Sequence, residues 1–348
     1  MNVKAAFAAL LLMAAQATAQ GFAGLGTQAE GFAVPERGTP LTFPQDHQAH
    51  PDYRIEWWYI TANLTGPDGT DYGVQWTLFR SATAPGTDEG WQNPQVWMGH
   101  AALTTPTAHH HAERLARGGT GQAGVAPAPF AAWIDTWQML GTGPDMDSLA
   151  LTAEGEGFAY ALTLNAEPPL ILQGEAGYSV KSRDGQASFY YSQPFYQAQG
   201  TLTLPEGEVP VTGTAWLDRE WSSQPLSESQ TGWDWVSLSL DDGRRIMGFA
   251  LREEDAPAFH SGTVIEADGT ATPLSPEEIT LTPLAMAQTH GRSLPVEWQV
   301  TLPGHSIDVT IKAVNPEAWM DTTFPYWEGP VRISGSHTGR GYLEMTGY

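Results

Sequence analysis

Asp218 lies in the run Ala215-Trp216-Leu217-Asp218-Arg219-Glu220-Trp221, an acid with a tryptophan two residues to its N-terminal side. In an extended chain successive side chains alternate between two faces, so Trp216, Asp218 and Glu220 share one face while Leu217, Arg219 and Trp221 take the other. A buried carboxyl resists ionisation and keeps a proton to donate near neutral pH. A neighbouring indole stabilises a cation formed beside it by up to about 2 kcal/mol once water is excluded. Together these properties suit proton transfer to a carbon–carbon double bond. The same residues also suit a structural knot in which Arg219 neutralises the acids, and the residues alone leave both readings open.

Two other clusters carry chemically able groups. Glu56 precedes Trp57-Trp58-Tyr59, and alternation places Glu56, Trp58 and Ile60 on one face. Arg54 falls on that face too, so an Arg54–Glu56 ion pair competes with a ligand-contacting role for Glu56. The histidines are His47, His50, His100 and the run His109-His110-His111, with Glu113 close by. Adjacent histidines rarely supply a defined coordination geometry, so an exposed loop is expected there and no metal site. The chain has no cysteine, no HExxH and no Gly-x-Ser-x-Gly, which removes thiol, zinc-protease and serine-hydrolase readings. With no P-loop and no dinucleotide-binding fingerprint, no cofactor is expected.

Strands must position these residues. Trp57 to Arg80 and Trp233 to Arg252 follow one plan: a tryptophan-rich strand, an Asp-Gly step (Asp68-Gly69, Asp242-Gly243), and an apolar return closing on arginine. Asp-Gly between apolar runs predicts a hairpin with a type I′ turn. Its appearance in each half predicts a duplicated β domain. Further strand patterns recur about every ten residues, the spacing of antiparallel barrels and sandwiches. Ala108 to Gly119 has helical character instead, and Gly121 to Pro129 reads as a loop.

The N-terminus and the composition add bounds. Lys4, the apolar run Ala5–Ala15 and Ala17-Thr18-Ala19 predict a signal peptide over residues 1–19, cut after Ala19, and an exported, periplasmic or secreted protein. No later stretch is long and apolar enough for a transmembrane helix. A Gly/Pro-rich leader over 20–48 is followed by one domain over 49–222 and another over 223–348. The formal charge of −23 disfavours nucleic acid as a partner. Fourteen tryptophans are more than a core of this size needs. They predict an apolar small-molecule ligand in a barrel interior lined by Trp58, Phe189, Tyr191 and Trp216.

The runs Phe43-Pro44-Gln45-Asp46-His47 and His50-Pro51-Asp52-Tyr53-Arg54-Ile55-Glu56-Trp57-Trp58-Tyr59 resemble the N-terminal signature of the AttH-like family, which includes the carotenoid 1,2-hydratases. Ser188-Phe189-Tyr190-Tyr191-Ser192, the Trp216–Trp221 block, Gly232-Trp233-Asp234-Trp235, Tyr326-Trp327-Glu328-Gly329-Pro330 and Gly341-Tyr342-Leu343-Glu344 extend the resemblance over nearly the whole chain. It implies an all-β fold of two lipocalin-like antiparallel β-barrel domains packed side by side. It also implies addition of water to a carbon–carbon double bond without a cofactor, with Asp218 in the place of the family's catalytic aspartate. Where the hydratases carry a His-x-Trp pair, this chain has Phe189-Tyr190-Tyr191, and Trp216-Leu217-Asp218 stands for their Tyr-x-Asp. The family's association with ABC-type exporters makes such an exporter a candidate partner, in which case the protein acts as a carrier or adaptor.

Overall fold

The computed structural model describes residues 29–348 apart from Glu89, 144–145 and 167–168, so the signal peptide expected over 1–19 lies outside the described residues. The described chain is all-β: twenty-three strands with three-residue 3-10 turns such as Gln45–His47. No described helix is long and apolar enough to cross a membrane.

Thirteen strands form one antiparallel sheet and ten form another. In the first, His109–Arg117 pairs with Gln95–Thr104, and the order continues through Asp71–Ala82, Ile55–Thr65, Gly207–Ser222 and Ala187–Leu204 to an edge at Ala123–Pro127. This sheet curls into a nearly closed barrel whose interior is filled by Trp58, Trp76, Trp137, Phe189, Tyr191 and Trp221. The second sheet places Gln230–Leu240 beside Arg245–Glu253 on one side and Gly339–Met345 on the other, and continues to Tyr326–Gly335. It makes a half-barrel around Val236, Trp298, Trp319, Trp327 and Leu343. This is the two-barrel lipocalin-like architecture.

The outer faces of the two sheets pack together. Tyr59, Tyr190, Phe195 and Trp216 of the first meet Trp235, Met247, Phe249, Leu251 and Tyr342 of the second in one buried cluster. The strands that form this seam are therefore covered on both faces: Ile55–Thr65 is buried at eight of eleven positions, and none of its residues is exposed. Close approach is required at Gly73, where an added Cβ would lie 2.6 Å from the Pro330 ring and 2.7 Å from the Tyr342 hydroxyl.

The structure corrects three local expectations. His109–Arg117 is a strand, not a helix or loop, because pairing with Gln95–Thr104 satisfies its backbone and outweighs the helix preference of Ala-Glu-Arg-Leu-Ala. Its histidines are consequently half-buried on an edge strand. Ala123–Pro127, read as loop, also pairs as a strand. The two hairpins form as expected, but neither turn is type I′: only the glycines take positive φ, Gly69 at 83° and Gly243 at 99°. In each, the glycine N–H closes a four-residue turn (Gly69 to Gly66 O, Gly243 to Leu240 O). The aspartate side chain then accepts from the N–H two residues on, Thr70 for Asp68 and Arg244 for Asp242, at 3.0 Å in both hairpins. One positive-φ glycine after a type I turn serves where I′ would need two positive-φ positions.

Candidate functional site

A cavity of about 350 Å³ opens in the seam between the sheets. Trp57, Tyr59, Tyr190, Trp233, Trp235 and Phe249 supply aromatic wall, and Asp218, Glu220, Lys181, Glu344, His100 and Tyr326 supply polar groups. A shallower depression over Asn165, Gln197, Gln199 and Thr212 bears no ionisable side chain. The seam cavity joins apolar wall to acid groups, and it is the candidate site.

Asp218 reaches it from the Gly207–Ser222 strand, which pairs with Ala187–Leu204 in a register that sets Ser192 opposite Asp218 and Tyr190 opposite Glu220. Three neutral donors hold its carboxyl: the Tyr190 hydroxyl at 2.7 Å, the Ser192 hydroxyl at 2.5 Å and the Trp216 indole N–H at 2.7 Å. Burial outweighs these donors and pushes the carboxyl up to about 7. Glu220, one cavity-side position further along, is neutralised by Lys181 Nζ at 2.8 Å and accepts from the Ser188 hydroxyl. The same ammonium stands 4.7 Å from the Tyr190 ring centre and 4.2 Å from that of Phe249.

The second sheet adds two carboxyls. Glu344 accepts from the Trp233 indole at 2.7 Å, and burial raises it to about 7. Glu328, directly across from Glu344 in the register, lies deeper and accepts from the Tyr59 hydroxyl. Burial and then the charge of Glu344 push Glu328 well above the usual carboxylate range. At the other end of the cavity the Tyr326 hydroxyl lies 2.9 Å from His100 Nδ1, and His100 Nε2 lies 3.1 Å from Glu113. Burial lowers His100, so its imidazole is neutral near pH 7.

Arg219 points the other way, as a neighbour on a strand must. Its guanidinium donates to Glu56 at 2.6 Å and lies 3.9 Å from the Trp58 ring centre. Arg80 donates to the other Glu56 oxygen at 2.9 Å, and His50 Nδ1 is 2.6 Å from Glu56. Burial alone would raise Glu56, but Arg219, His50 and Arg80 together hold it below the ordinary carboxylate range. The pairing that neutralises Glu56 thus comes from Arg80 and Arg219, and the alternative knot between Asp218 and Arg219 does not form.

Of the residues expected at the site, Asp218 and Trp216 are brought together on the seam face. Trp58, Phe189 and Tyr191 are on the opposite face, inside the filled first barrel. Glu56 borders the cavity but is committed to its arginines. The barrel interior is closed by the chain before the first strand: His47 Nδ1 lies 2.6 Å from the Tyr191 hydroxyl, and the Trp58 indole donates to His47 O at 3.0 Å. A one-residue change of phase accounts for the displacement, because it exchanges the two faces of a strand. Tyr190 and Ser192, not Phe189 and Tyr191, face Asp218; Trp57 and Tyr59, not Trp58, face the cavity. Lys181, Trp235 and Glu344 also line the cavity, and no local sequence signal marks them as site residues, although Trp235 and Glu344 stand in recognisable motifs and Lys181 is one of only three lysines.

Among the described residues no group of three or more His, Asp and Glu side chains is arranged to hold a metal ion. The arrangement offers proton donors and acceptors in an aromatic-walled cavity.

The family profile described as AttH-like matches residues 34–348. The crystal structure of an AttH protein from Nitrosomonas europaea is 34% identical, with a TM-score of 0.81 over 91% of this chain and 99% of that one. Kievitone hydratase from Nectria haematococca shares the fold at 14% identity, with a TM-score of 0.69 over 91% of this chain and 96% of its own. CghA in complex with Sch210972 shares it at 11% identity, with a TM-score of 0.56 over 92% and 97%. No curated protein sequence matches significantly.

Proposed function

The chain belongs to the AttH-like family, and from that premise we propose that it is an exported protein that binds an apolar, uncharged, alkene-containing molecule in the seam cavity and transfers a proton to its double bond. Asp218 is the general acid. The observation that carries this reading is the setting of Asp218: a carboxyl held by three neutral donors, in an aromatic cavity, with the nearby ammonium already paired to Glu220. Such a group is half protonated near pH 7, where a general acid works best.

In the reaction, the Asp218 proton passes to one alkene carbon and the Asp218 carboxylate is left on its three donors. The positive charge on the other carbon lies among Trp57, Trp235, Tyr190 and Phe249, where aromatic faces stabilise a desolvated cation. Capture by water gives hydration, and loss of a different proton gives isomerisation. The fold shared with a protein named as a hydratase supports the first outcome.

The test is to extract the purified protein with organic solvent and analyse the extract by mass spectrometry, then to return the recovered compound to the protein in heavy water. Deuterium entering the compound with wild type and not with Asp218→Asn is the expected result. An empty extract, with no quenching of tryptophan fluorescence by terpenoids or lipids, would overturn the reading. Binding that persists in both forms without deuterium uptake would identify a carrier.

A further inference from the structure

We propose that Glu344 is the second catalytic carboxyl of the seam cavity, accepting a proton from the water molecule that attacks the alkene while Asp218 donates one from the other side. This rests on the reading of Asp218 as the acid.

Glu344 and Asp218 belong to different sheets and line the same cavity. Two residues connect them. Trp235 is the cross-strand partner of Glu344, and such partners have side chains about 5 Å apart at their base. The Trp235 indole N–H approaches the Tyr190 hydroxyl at 3.3 Å, and that hydroxyl donates to Asp218. Each carboxyl also holds a tryptophan N–H of its own, Trp216 on Asp218 and Trp233 on Glu344, both at 2.7 Å. An indole N–H can donate but cannot accept, so Trp233 fixes Glu344 Oε1, while at Asp218 Trp216 and Ser192 hold Oδ1 and the Tyr190 hydroxyl holds Oδ2. Glu344 is partly accessible although it lies in the seam, because the cavity reaches it.

The other charged groups around Glu344 fit this role. Glu220 is already neutralised by Lys181, and Glu328 is held neutral by burial and by the nearness of Glu344 itself. Burial raises both Asp218 and Glu344, and the charge of Asp218 raises Glu344 further. A protonated Asp218 therefore leaves Glu344 freer to ionise and act as a base, and an ionised Asp218 favours the proton on Glu344. The step balances. The Asp218 O–H bond breaks as a C–H bond forms, the water oxygen bonds to the second carbon, and its proton goes to Glu344. A proton then returns from Glu344 to Asp218 to restore the starting state.

Two measurements test this. Infrared titration of the buried carboxyl carbonyl signal needs no substrate: wild type should show two steps around neutral pH, and Asp218→Asn should move the remaining Glu344 step to lower pH. A Glu344 step that stays in place in Asp218→Asn would overturn the proposal. The second uses farnesol, an uncharged prenyl alcohol, in deuterated water enriched in heavy oxygen. Glu344→Gln should keep deuterium uptake within about threefold while heavy-oxygen uptake falls on the order of 100-fold, the scale of one general base. Glu344→Asp should recover part of it, with near-ultraviolet circular dichroism reporting that each variant is folded. Unchanged oxygen uptake in Glu344→Gln would overturn the proposal and leave Asp218 as the acid. No deuterium uptake by wild type would overturn the Asp218 reading for this alkene, and the titration would still decide the pairing.

Discussion

The Tyr190 hydroxyl lies 2.7 Å from Asp218 on its own sheet and 3.3 Å from the Trp235 indole of the other. One phenol thus serves as a rivet through the seam and as a donor to the acid. Tyr190→Phe removes both contacts and leaves a buried indole N–H without its acceptor, a change that costs about 1–3 kcal/mol. It also removes a donor that favours the ionised form of Asp218. Urea unfolding should show lower stability, and infrared titration should place Asp218 ionisation at higher pH than in wild type.

Stability should fall as pH rises through the neutral range. The folded Asp218 carboxyl titrates near 7 against an unfolded value near 3.8, so the folded chain binds the extra proton between them. That contribution is complete below the unfolded value and lost as pH rises through the folded one. At about 1.4 kcal/mol for each pH unit separating the two values it is worth up to roughly 4 kcal/mol. Glu56 acts in the opposite sense and in a more acid window, since its folded value is depressed. Urea midpoints measured at steps from about pH 5 to pH 8 should decline in wild type and decline less in Asp218→Asn.

Two buried acids should respond in opposite ways to the same substitution. Glu56→Gln leaves Arg80 and Arg219 buried without their counter-charge, and a broken buried pair costs about 3–5 kcal/mol. Asp218→Asn removes a carboxyl whose ionisation the fold resists, and it should leave stability at neutral pH equal or higher while abolishing proton transfer. Thermal unfolding of the two variants side by side checks this.

The distance between the sheets is fixed where Gly73 meets Pro330 and Tyr342. Gly73→Ala drives a methyl group into that contact, and overpacking of this kind costs about 1–3 kcal/mol. The seam should loosen first, seen as greater quenching of the seam tryptophans by acrylamide before global unfolding. Pro330→Ala should restore part of the loss.

How much of this was readable in advance depended on what each strand faces. The paired hairpins announced themselves through Asp68-Gly69 and Asp242-Gly243, because a glycine with positive φ is needed whichever turn is used. Asp218 was visible because Trp216 and Glu220 share its face whatever the register. The residues around it were not, for a physical reason: a strand buried on both sides has no polar face to mark its phase. Phe189, Tyr190 and Tyr191 are equally aromatic, so nothing local says which of them turns toward Asp218; the register Ser192↔Asp218 does. Glu344 and Lys181 come to the cavity from far along the chain, and only the packing of one sheet on the other brings them together. The edge strand His109–Arg117 was hidden by residues that favour helix, since its pairing with Gln95–Thr104 is a tertiary event.

The chain preceding the first strand has a kinetic consequence. His47 is stoppered into the barrel by Tyr191, 144 residues later, and Gln48 O is held by Arg219, 171 residues later. His47 has no partner until the Ala187–Leu204 strand forms, and Gln48 O none until the Gly207–Ser222 strand does, so the barrel cannot seal from its beginning. Contacts this distant in sequence slow folding, because the loop must close before they give anything back. The first barrel therefore locks only when a strand some 170 residues further along has joined it.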